Sequence, residues 1–162
     1  MNAAQVHLFL NHLPIVGLFF GVALLGIGLF RKQHILAQAG LIIMLFVSIV
    51  AVPTNVSGEG AEGVLKEQVK NGNITEEQWD IMHEELHHHE EEAELGFYFL
   101  IALGVLSLLS LVLFSDNPQR NLMLRYVSLV AGLLIFVWMM KVGHSGGLIR
   151  HPEIAMLLPV LP

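Results

Sequence analysis

Residues 6–30 read VHLFLNHLPIVGLFFGVALLGIGLF. No charged side chain interrupts them, and the polar His7, Asn11 and His12 sit near the start. A helix crosses the hydrocarbon of a bilayer with about 20 largely apolar residues, so this run is long enough to span. Residues 35–53 and 95–114 are also uncharged, and 122–142 forms a fourth apolar run with Arg125 just inside it. Inside lipid the backbone must satisfy its own hydrogen bonds, which makes these helices rather than strands. The reading is an all-α, integral membrane four-helix up-down bundle in one domain, 1–162.

Composition agrees. The chain is 54% hydrophobic and 14% charged, with a mean hydropathy of +0.65. Soluble domains carry about 25% charged residues, so there is too little charge here to cover a water-facing surface. The first run lacks the basic start and small-residue cleavage site of a signal peptide and reads as retained. Zero cysteines exclude thiolate metal sites and disulfides. A net charge of -6 excludes the basic patch of a simple nucleic-acid binder.

The short links 31–34 and 115–121 carry Arg31, Lys32 and Arg120 against Asp116. The long link 54–94 holds twelve acids and two lysines. By the positive-inside rule the short links face the cytoplasm, and both termini and the acidic link face outward. Lys141 and Arg150, on the outer side, count against this orientation. Within the long link, Gly58 to Gly63 reads as a turn or helix entry. Residues 61–70 read as a short helix stopped by Asn71-Gly72. Thr75-Glu76-Glu77-Gln78 fits a capping box, whose helix runs toward the third span and makes an extramembrane helical hairpin of the link. The tail 148–162 is apolar and broken by proline.

Nine histidines stand in a chain short of polar residues. The topology gathers eight on the outer face: His7, His12, His83, His87, His88, His89, His144 and His151. Only His34 lies on the other. Trp79, Met82, Leu86, Ala93, Gly96 and Leu100 form an apolar stripe at helical spacing. His89 falls on it, whereas His87 and His88 fall among glutamates. His7 and His12 are five residues apart, about 140° around a regular helix, so they do not share a face. Pro14 lacks the N–H that would bond the Leu10 carbonyl and offers a reason for irregularity there. Gly17 and Gly21 form a G-x-x-x-G step that admits a close helix or a flat ring. His83-Glu84-Glu85-Leu86-His87 matches the H-E-x-x-H zinc motif, but it lies in a run of Glu and His where chance matches are easy. The bland alternative for the whole cluster is a hydrated rim, since a membrane protein must place its polar residues at its ends.

Asn11-His12-Leu13-Pro14-Ile15-Val16-Gly17 with His7 before it, Gly58-Glu59-Gly60-Ala61-Glu62, the His89-Glu90-Glu91 region and Gly146-Gly147-Leu148-Ile149-Arg150-His151-Pro152-Glu153-Ile154 follow one another in a recognisable order. On these the chain resembles an uncharacterised family of small bacterial four-helix membrane proteins, a domain of unknown function. The resemblance implies no activity. It implies positions: His7, His12, Glu59, Glu62, His89 and His151, with Arg150 and Glu153. Two cofactors fit such residues. One is haem b, held by His7 or His12 with His89 or His151, with Arg150 at a propionate and electron transfer as the role. Gly17, Gly21 and Gly96 would make room for the ring. The other is a divalent Zn, Cu or Fe ion on His7, His12, His89, His151, Glu59 and Glu62. A structural subunit of a membrane complex is a third reading. The expected partners are the lipid bilayer of the bacterial inner membrane and a redox partner or complex subunits.

Overall fold

The computed structural model describes residues 3–112 and 118–150, and these are helical apart from short turns. Five helices follow in order: α1 (Ala3–Leu10), α2 (His12–Phe30), α3 (His34–Lys70), α4 (Glu76–Leu111) and α5 (Pro118–Arg150). Four stretches, Ala4–Phe30, His34–Lys70, Met82–Leu111 and Gln119–Gly147, are long and apolar enough to cross a membrane by length and composition. Chain neighbours pack side by side, α5 closes on α2, and α3 and α5 lie across the diagonal. α1 leans on α3.

The expected first span is one run, Ala4–Phe30, marked by a single irregular residue at which the backbone stays helical (Asn11 φ -62°, ψ -24°) and its N–H still bonds the His7 carbonyl. α1 ends at Leu10 and α2 starts at His12, with Asn11 between. The irregularity lies one turn before Pro14, where the ladder loses its N–H. The second span does not stop at residue 53. α3 continues through Pro53 and through the glycines 58–63 to Lys70, so Gly58 to Gly63, expected as a turn or helix entry, lies inside one long helix. Glycine weakens a helix by about 1 kcal/mol per residue; α1 packs on α3, with His7 against Gly58. The C-terminus of α3 falls where the sequence placed it: Asn71 caps it and Gly72 takes φ +72°, a conformation glycine adopts freely. α4 then begins at Glu76 and runs without a break into the third span.

The core follows a seven-residue rhythm. On α5 the buried positions are Asn121, Arg125, Ser128, Gly132, Ile135, Met139 and Val142. They face Glu92, Gly96, Leu100, Leu103, Ser107 and Ser110 of α4. Leu18, Val22 and Leu25 of α2 meet Ala37, Leu41, Met44, Val47 and Ala51 of α3. The α2–α3 pair is the tightest contact: a Cβ on Gly28 would strike the Ala37 backbone, and one on Gly40 would come 2.5 Å from the Leu25 nitrogen. Gly17 and Gly21 belong to the same packing, filled by Val47 and Met44. Outward face Phe19, Phe46, Val105, Leu134 and Val137, all exposed.

Candidate functional site

Two histidines turn inward at the end of the bundle where α1 begins and α4 enters the core: His7 and His89, each partly buried. His7 Nδ1 lies 3.2 Å from the Thr54 carbonyl oxygen and 3.2 Å from Ser57 Oγ. A carbonyl only accepts, so Nδ1 carries the hydrogen. Ser57 donates its own proton to the same carbonyl at 2.8 Å. In the neutral ring, Nε2 then holds the lone pair.

His89 is held in the same way from the other side. Its Nδ1 lies 3.0 Å from Ser145 Oγ. Ser145 donates to Glu92 Oε2 at 3.0 Å or to the Val142 carbonyl at 3.1 Å. Its proton is committed either way, so it accepts from His89 Nδ1–H. The neutral ring again presents Nε2 as a lone pair. Glu92 anchors this chain. It is 6% exposed, Lys141 Nζ lies 2.8 Å from its Oε1, and the Trp138 indole N–H donates to its backbone carbonyl at 3.0 Å. Lys141 also lies 5.3 Å from the Trp138 ring centre. A carboxylate that orients an imidazole through a hydroxyl is an arrangement that fixes tautomer and ring direction.

Each ring rests on a glycine. A Cβ on Gly58 of α3 would come 3.3 Å from His7 Cε1, and one on Gly146 of α5 would come 2.9 Å from His89 Cε1. His7 is therefore pinned to α3 and His89 to α5, with an Nε2 lone pair on each.

The other expected site residues fall elsewhere. His12 and Glu59 are exposed, and Glu62 pairs with Lys66 one turn on. The irregularity at Asn11 does not bring His12 to His7. His83, His87, His88 and His144 are exposed, and the H-E-x-x-H residues line an open recess of about 460 Å³ with Asp80, His88 and Glu91. The Arg150 side chain, His151 and Glu153 lie outside what the structure describes. Among the described residues, no three His, Asp or Glu side chains are placed to hold a metal ion. Gly96 meets Met139 and Trp138, so none of Gly17, Gly21 and Gly96 leaves room for a flat ring.

Sequence reasoning missed Glu92, Ser145, Thr54, Ser57, Gly58 and Gly146 as parts of this site. Glu92 had a signal. It stands three residues after His89 and four before Gly96, on the inward stripe. No family model matches the chain, and no curated protein or solved structure is similar to it.

Proposed function

We propose that the chain is an integral protein of the bacterial inner membrane that holds a b-type haem between His7 and His89 at its outer face and passes electrons. The observation that supports this is the pair of inward imidazoles with both Nδ1 atoms engaged and, among the described residues, both Nε2 lone pairs left to ligate. A six-coordinate electron-transfer haem takes two axial ligands from the protein, whereas a structural zinc takes four and a catalytic zinc three. The described residues supply two. The ligand pair is what fits; a preformed slot is not. Haem would supply one-electron chemistry. Ser145 and Glu92 would hold His89 in its ligating tautomer, and Thr54 and Ser57 would do the same for His7. The acidic link then lies outside the membrane.

The test is a visible absorption spectrum of the detergent-purified protein after expression with ample haem. A Soret band that falls in both His7→Ala and His89→Ala supports the assignment. No band in the wild type overturns it.

A second reading is favoured by the Glu92–Ser145–His89 chain, which is equally the support of a metal-bound imidazole, and by the charge of -10 over residues 54–94. It places a divalent Zn, Cu or Fe ion on the two rings, with further ligands from outside the described residues, His151 among the candidates. Elemental analysis without metal, and unchanged stability on adding zinc or copper, would exclude it.

A further inference from the structure

The far end of the bundle holds a buried cation that the histidine pair does not involve. Arg125 is 8% exposed on the inner seam of α5, one turn from Asn121. Asn121 Nδ2 donates to the Ser110 carbonyl at 2.8 Å and sets the register of α4 and α5 there. Arg125 Nη1 lies 3.3 Å from His34 Nδ1. A guanidinium has no lone pair, so His34 accepts and its ring is uncharged in this contact. Arg125 Nε is buried, and among the described residues it has no hydrogen-bond partner. Among the described residues no carboxylate pairs with the guanidinium. A desolvated charge met by a neutral ring is costly, and an anion is what removes that cost.

The surroundings say which anion. His34 lines an open recess of about 470 Å³ together with Gln33, Ile35 and Leu36. Arg31 and Lys32 are exposed at the same turn. A free ion needs no apolar wall, whereas a phosphate carried on acyl chains does. Basic groups between helices at the cytoplasmic end of a bundle suit lipid head groups.

We propose that Arg125 and His34 bind the phosphate of an anionic phospholipid, whose glycerol and upper acyl chain occupy the recess beside Ile35 and Leu36. The guanidinium donates to the phosphate, and His34 is the neutral placeholder that yields its position. The proposal rests on the membrane reading and not on the cofactor reading.

Thermal unfolding of the full chain in mild detergent tests it, with short-chain phosphatidylglycerol, phosphatidylcholine or inorganic phosphate added. The expected result is a raised midpoint with phosphatidylglycerol alone. Arg125→Gln weakens the apparent affinity about tenfold, as loss of a charge-assisted bond does. Ile35→Trp fills the recess from an exposed position, so it folds and abolishes the shift. An equal shift from phosphatidylcholine or from phosphate alone overturns the proposal, as does a phosphatidylglycerol shift that survives in both variants. Cell fractionation reads membrane residence separately: a chain in the soluble fraction sinks the membrane reading itself.

Discussion

Ser145 joins two parts of the site, since its one oxygen accepts from His89 and donates to Glu92. Removing it leaves the His89 Nδ1–H without that acceptor, while Glu92 keeps Lys141. Ser145→Ala should lower stability by about 1–3 kcal/mol, read as a fall in unfolding midpoint. If a cofactor is bound, its content should drop too, because the ring is free to turn. Gly146→Val pushes on the same ring from the backbone side, where even one carbon would come within 2.9 Å of Cε1. It should reduce cofactor content at least as far as His89→Ala while His12→Ala leaves it unchanged. Equal loss in His12→Ala would place a ligand on α2 and overturn the His7–His89 pairing. His89 was legible in the sequence because an inward stripe predicts it by phase alone. Its partners were not, because Ser145 and Gly146 are set by which helix lies opposite, and a single helical phase does not contain that.

Helices carry a second set of consequences. Ser107, Ser110 and Ser128 are fully buried, and among the described residues their hydroxyls find no hydrogen-bond partner. A buried unpaired hydroxyl costs about 1–3 kcal/mol, so Ser107→Ala and Ser128→Ala should be neutral or stabilising. A loss of more than about 1 kcal/mol in unfolding free energy would reveal a partner for the hydroxyl. Gly28→Ala should act in the opposite direction. Its methyl would meet the Ala37 backbone, and overpacking of that kind costs about 1–3 kcal/mol. The Gly28–Ala37 and Gly40–Leu25 contacts are tertiary and left no mark beyond ordinary glycine. The four apolar runs themselves were plain, since length and hydropathy decide them. Where α3 ends was plain in Asn71-Gly72. That it does not end earlier was hidden, because Pro53 and the glycines 58–63 read locally as breaks, whereas the packing of α1 and α4 on α3 is tertiary.

At the scale of the molecule, the outward surface is apolar. Phe19, Phe46, Val105, Leu134 and Val137 face out between polar ends. In water such a surface would associate; in lipid it is the correct one. Leu134→Asp separates the cases. It should reduce membrane insertion by about 2.5–3.5 kcal/mol, measured as the inserted fraction in a glycosylation-tag or protease-protection assay. A mutant that instead becomes more soluble with unchanged unfolding would refute the membrane reading. α3 is 37 residues long, about 55 Å at 1.5 Å per residue, against a hydrocarbon core of about 30 Å. In a bilayer, roughly a third or more of it would therefore stand clear of the core.

His7 is fixed to α3 and His89 to α5, and those two helices face each other across the diagonal. Anything that ligates both rings would act as a cross-brace between opposite corners of a four-post frame. Neighbouring posts can slide past one another while a square shears, but a diagonal tie prevents it. Occupancy of the pair would thus stiffen the whole bundle and not merely its mouth, and hydrogen exchange deep in α2 and α5 would record the arrival of a guest far from where it sits.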